Sequence, residues 1–137
     1  MKQSKLDNIL KLHQKWLDGE EEGKRAYLSG ADLHNADLSG ADLSGAYLNW
    51  VNWHEVKGIK VYVAGLQSSR ENAQLAYIPS IDIATTGCFQ DTWDNLKKRI
   101  DEVYKKDNPK IYHKYQLAIN YIEEQIKSDE EVKKDEM

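Results

Sequence analysis

Histidine, cysteine and aspartate are the residue types with which this chain could do chemistry. It carries 4 histidines, His13, His34, His54 and His113, and the single Cys88. No two of these have the close His-x-x-His or Cys-x-x-Cys spacing of a structural zinc site. Cys88 sits between Gly87 and Phe89, shortly before an expected helix, where the positive end of the backbone dipole would favour a thiolate. A catalytic thiol also needs an adjacent base, and no histidine lies nearby in sequence. The expectation is therefore a packed structural cysteine. Asp32, Asp37 and Asp42 recur every five residues. Acid–base work needs two carboxylates in one apolar cleft, whereas this spacing spreads them along a solvated acidic surface. The polar run Gln67, Ser68, Ser69 and Arg70 is the best candidate for holding an anion, because arginine offers a planar fork of donors. Arg70 could equally pair with Glu71 or Asp82. No phosphate-cradling glycine fingerprint is present.

The element that must position several of these residues is a repeat. Residues 26–55 read as AYLSG, ADLHN, ADLSG, ADLSG, AYLNW and VNWHE. A period of five fits neither the 3.6 of a helix nor the 2 of a strand. Gly30, Gly40 and Gly45 recur where a corner would demand unusual backbone angles. With its A-[D/N]-L-x-x unit, the stretch 26–50 resembles the pentapeptide-repeat family, and the match fades over 51–55. The resemblance implies a right-handed quadrilateral β-helix, with roughly four units to a coil and Ala and Leu inward. Six units then make about 1.5 coils, well under 10 Å tall at a strand spacing of about 4.8 Å. So short an array needs covers at both ends.

With about four units to a coil, residues twenty apart share one column. His34 and His54 should lie one above the other on the outside. Two stacked imidazoles could bind a transition metal, but solvent-facing polar positions are the plainer reading, and no metal or other cofactor is expected. Tyr27 and Tyr47 should stack in the same way, replacing the usual Asp. Trp50 takes a corner and Trp53 a core position. Exposed aromatics of this kind anchor partners, unless the second half of the chain covers them.

Upstream, Leu6, Ile9, Leu10, His13, Trp16 and Leu17 follow helical spacing. They predict a helix over about 5–18, with Ser4 as its cap and Gly19 as its stop, closing the first coil. Downstream, alternation predicts strands over 59–64, 74–78 and 81–86, giving two or three antiparallel strands. Asp91 or Thr92 caps a helix bearing Trp93, Leu96 and Ile100. Asn108-Pro109 opens a last helix. Residues 128–137 read as a frayed helix end or a disordered tail. The fold class is thus α+β, with units at 1–57, 58–127 and a charged tail at 128–137. Over 58–125, the Ser69-Arg70, Gly87-Cys88-Phe89 and Thr92 positions and the helix to Tyr104 resemble an uncharacterised module behind short pentapeptide repeats in phage proteins. That resemblance implies a phage accessory origin and no specific activity.

Composition narrows the function classes. The chain has 137 residues, 19 Lys+Arg against 23 Asp+Glu, and a net charge of −4. Net acidity argues against direct nucleic-acid binding. A run long and apolar enough to span a membrane is lacking, and the first residues lack the apolar core of a signal peptide. With a lone cysteine, these features suit the cytoplasm, that of a host cell if the gene is phage-borne. Long pentapeptide arrays can imitate DNA, but about one and a half coils cannot present a duplex-length charge pattern.

The expectation is a non-catalytic accessory protein that engages and inhibits or retunes a host macromolecule, such as a defence component. Its surface would comprise Tyr27, Tyr47, Trp50, Asp32, Asp37 and Asp42. The alternative is a homo-oligomeric receptor or sponge for a phosphorylated nucleotide, using Gln67, Ser68, Ser69, Arg70, Cys88 and Trp93. An enzyme with Cys88 as nucleophile ranks last.

Overall fold

The structure of the chain, a computed structural model, describes residues 1–66 and 73–136. Among these, the elements in order are α1 (Gln3–Leu17), β1 (Tyr62–Gly65), β2 (Gln74–Ile78), a single 3-10 turn (Pro79–Ile81), β3 (Ile83–Thr86), β4 (Phe89–Asp91), α2 (Trp93–Tyr104) and α3 (Pro109–Glu136). The class is α+β.

Between α1 and β1 the chain winds back alongside itself. Parallel bridges join Tyr27 to Tyr47, Asp32 to Asn52 and Asp37 to Lys57, each pair twenty residues apart. Two hydrogen bonds make each rung; at the second, Leu33 N–H donates to the Asn52 carbonyl and Asn52 N–H to that of Ala31, both at 3.0 Å. In five of the six units the N–H of the next Ala or Val closes a turn onto the Leu or Trp carbonyl, as from Ala36 to Leu33 at 2.9 Å. The residue at the fifth position of every unit is left-handed: Gly30, Asn35, Gly40, Gly45, Trp50 and Glu55 all have φ between 57° and 76°. Gly and Asn adopt this region readily, whereas Trp and Glu are strained there by about 1 kcal/mol.

The alternating burial follows from the unit. Leu28, Leu33, Leu38, Leu43 and Leu48 are buried, as are Ala26, Ala36 and Ala46, with Val51 and Trp53 continuing the column. The second position faces out, so Tyr27, Asp32, Asp37, Tyr47 and Asn52 are exposed. α1 closes one side of this core with Leu6 and with His13, which is 0% exposed. The expected Ser4 cap is not formed. The helix starts at Gln3 after Lys2, without a side-chain capping bond.

The four strands form one antiparallel sheet in the order β1-β2-β3-β4. Both faces are covered. Ala76 and Ile78 of β2 join the leucine core of the repeat, while Leu75, on the opposite face, joins Ala84, Trp93, Leu96, Ile100, Tyr115 and Ile122 beneath α2 and α3. β4 was not expected from sequence, and the first strand starts three residues later than the alternation from Ile59 suggested. α2 starts as predicted, with Thr92 Oγ1 accepting from Asn95 N–H. α3 is capped by Asn108, whose Oδ1 accepts from Ile111 N–H at 3.2 Å. It continues to Glu136, so the charged stretch from 128 is helical rather than a tail. There the Tyr62 hydroxyl donates to Asp129 at 2.5 Å, and the Lys60 ammonium lies 3.3 Å from the same carboxylate.

Candidate functional site

The sheet edge, the β3–β4 turn, α2 and α3 enclose a cleft of about 530 Å³. Its apolar walls are the rings of Trp50, Phe89, Tyr104 and Tyr115, and its cations are Arg99 and Lys114. Each wall has a positioning device. Tyr104 and Tyr115 stack with centroids 5.2 Å apart. Thr86 and Tyr115 share a hydrogen bond of 2.9 Å between their hydroxyls, and burial pushes the Tyr115 phenol pKa up. The Arg99 guanidinium lies 5.8 Å from the centre of the Phe89 ring. Asn49, from the repeat, donates to the carbonyls of Gly87 and Phe89 at 2.9 and 3.1 Å and so fixes the β3–β4 turn. Trp50, the next residue, occupies one of the strained left-handed positions (φ 65°). The described lining includes no histidine and no carboxylate.

This arrangement redistributes the candidate residues. Cys88 is exposed at the tip of the β3–β4 turn, against the expectation of a packed thiol. A two-residue Gly-Cys connection pairs Thr86 with Phe89 and turns the side chain outward. It lines the cleft, and no histidine or carboxylate accompanies it among the described lining residues. Trp93 lies outside the cleft: it is 8% exposed and packs on Tyr77 with centroids 4.7 Å apart. Gln67, Ser68, Ser69 and Arg70 lie outside the described residues; Leu66 and Ala73, which flank them, line the cleft.

Trp50 belongs to the cleft and not to the tyrosine wall with which sequence grouped it. On that wall Tyr27 and Tyr47 do meet, with ring centroids 5.1 Å apart, and Tyr27 is 72% exposed. Arg25 pins Tyr47 by donating to its hydroxyl at 2.9 Å and to the Gly45 carbonyl, its guanidinium lying 4.0 Å from the Tyr47 ring centre.

Asp32, Asp37 and Asp42 do not converge, and each serves its own turn. Their carboxylates accept the backbone N–H of His34, Ser39 and Ser44 at 3.1, 2.9 and 2.9 Å. Hydrogen bonds from those following residues lower all three pKa values. Asn52 accepts from His54 N–H in the same way, so Asn can replace Asp at this position.

The cleft residues missed from sequence are Thr86, Phe89, Arg99, Tyr104, Lys114 and Tyr115. They come from four elements, and no local pattern links them. The φ > 0 position of Trp50 was the one available signal, since a bulky residue stands where the period calls for Gly or Asn.

Among known families, the model described as pentapeptide repeats (8 copies) matches residues 24–52. No curated protein and no solved structure matches the chain.

Proposed function

We propose that this protein is a non-catalytic binder whose cleft holds a small anionic, ring-bearing ligand, a phosphorylated nucleotide being the class that fits. The repeat on which it rests is read as about 1.5 coils of right-handed quadrilateral β-helix, supported by the twenty-residue offset of the bridges. The observation that carries the reading is the pairing of four aromatic rings with Arg99 and Lys114 in a cleft of about 530 Å³ whose described lining holds no carboxylate. Ligand pockets of roughly 300–1,000 Å³ with apolar walls and a few polar groups are the common form of small-molecule site. Rings stack on bases, and cations receive phosphates. Holding Trp50 against its backbone preference also fits a side chain retained for contact. The absence of a base beside Cys88 in the described lining favours binding over turnover.

Calorimetry with nucleoside mono-, di- and triphosphates and cyclic dinucleotides, against unphosphorylated nucleosides, tests this reading. Binding should require phosphate and weaken roughly tenfold in Arg99→Ala and Lys114→Ala, the loss of one charge-assisted contact. Trp50→Gly should keep the fold and lose the ligand-dependent change in tryptophan fluorescence. Heat-silent titrations across the whole panel would reject the reading.

A second reading, engagement of a host macromolecule, is favoured by the exposed pair Tyr27 and Tyr47, 72% and 39% exposed. The likeness of 58–125 to a module of phage proteins points the same way. Asp32, Asp37 and Asp42 contribute less to such a surface than sequence suggested, because their carboxylates are already engaged in turns.

A further inference from the structure

We propose that His34, His54 and Glu55 form a site for one divalent transition-metal ion of the zinc class, separate from the aromatic cleft. The two imidazoles lie parallel, 10° apart in plane, with centroids separated by 5.0 Å. Glu55 faces both of them, one carboxylate oxygen 3.6 Å from His34 Nε2 and the other 3.7 Å from His54 Nε2. One donor atom from each residue lies within 4.8 Å of the others. A tetrahedral zinc ion with bonds of about 2.0–2.1 Å separates its ligand atoms by about 3.3 Å. For both Nε2 lone pairs to converge on one ion, the two imidazoles must turn out of their parallel stack, and all three side chains are exposed and so have room to turn.

The backbone beneath them is fixed. Asn35 N–H donates to the His54 carbonyl at 3.0 Å, and Asn52 Nδ2 donates to Asp32 at 2.9 Å, tying the same two turns together. The Asn35 amide lies 3.5 Å from His34 Nδ1. Turned to present its oxygen, it would hold the Nδ1–H tautomer and leave Nε2 free for the metal.

Two further observations point to a ligand here. Glu55 occupies the left-handed fifth position of its unit at φ 57°, where four of the other five units place Gly or Asn, so a carboxylate stands there at a backbone cost. His54 and Glu55 also open onto a depression of about 480 Å³ lined by Trp53, Lys60 and Gln125. Trp53, which borders that depression, has a buried indole Nε1–H without a hydrogen-bond partner among the described residues. Two nitrogens and one carboxylate leave a fourth position for water or an oxyanion on that side.

The test uses the full chain, titrated with Zn²⁺ by calorimetry and with Co²⁺ by visible absorption. One equivalent should bind, with the intense visible bands of tetrahedral cobalt. Glu55→Asn relieves the backbone strain and keeps the fold, and it should weaken binding at least about tenfold, as should His54→Gln. His113→Gln and Cys88→Ser should leave the affinity unchanged. Absence of binding at ~100 μM metal, a concentration far above that needed by a three-ligand site, would overturn the proposal. So would binding that survives Glu55→Asn and His54→Gln but disappears in Cys88→Ser.

Discussion

The carboxamide of Gln3 pairs with the backbone of Asp37 in both directions, donating to its carbonyl at 2.8 Å and accepting its N–H at 2.9 Å. Gln90 does the same on the opposite edge, accepting from Leu48 N–H at 2.9 Å and donating to the Ala46 carbonyl at 2.7 Å. Each amide stands in for the missing next rung of the parallel ladder. Unpaired strand edges recruit other chains, so these two side chains close what the short array leaves open. Gln3→Leu should therefore produce concentration-dependent association in analytical ultracentrifugation. Gln90→Leu, at a half-buried edge, should also cost about 1–3 kcal/mol in urea unfolding. A monomeric, fully stable double variant would show that the amides are dispensable.

His13 is the pin that holds α1 on the repeat. Its Nδ1 accepts the Ala26 N–H at 2.9 Å, and its Nε2–H donates to the Ser44 carbonyl at 2.9 Å. With the ring 0% exposed, His13→Ala removes both bonds and leaves a void. The expected loss is about 2–4 kcal/mol by chemical denaturation. A loss within the error of a surface substitution would contradict this role.

Acid should loosen the repeat before the helices. The turn-closing carboxylates of Asp32, Asp37 and Asp42 have pKa values lowered from the ordinary 3.8 by hydrogen bonds from the residues two positions on. A depressed folded-state pKa gives stability that is present above the ordinary value and is lost as pH falls through the lowered one. The melting temperature should hold to about pH 4 and fall below it. An Asn at all three positions should flatten that fall, since Asn52 already closes its turn with an amide. An unchanged acid limb in the triple variant would assign the effect elsewhere.

The end of α3 depends on Tyr62. Its phenol pKa is pushed up to about 12, first by burial and then by the hydrogen bond to Asp129. Tyr62→Phe should cost about 1 kcal/mol and speed amide exchange beyond residue 125, leaving α2 unaffected. Equal exchange in both proteins would mean that Lys60 alone secures the helix.

What the sequence disclosed was what repeats or caps. The five-residue period placed Tyr27 over Tyr47 and His34 over His54, because a column is fixed by arithmetic alone. Thr92 and Asn108 announced their helices through local hydrogen-bond chemistry. β4 escaped because three residues, Phe-Gln-Asp, show no alternation, and its pairing to β3 supplies the order that pattern lacks. Cys88 was misplaced because a two-residue turn, rather than its own apolar character, decides where its side chain goes. The cleft was invisible because Trp50, Phe89, Arg99 and Lys114 line one space only through packing of the repeat against β4, α2 and α3.

The twenty-residue offset also governs how this chain could tolerate insertions and deletions. Removing five residues, such as 36–40, would return every remaining leucine to the interior and keep each wall intact. Yet His34 would then face the former Ile59 in place of His54, and Tyr27 would face the former Asn52. Length can thus change here only in quanta of one unit. Each quantum spares the architecture while scrambling which side chains meet across neighbouring windings.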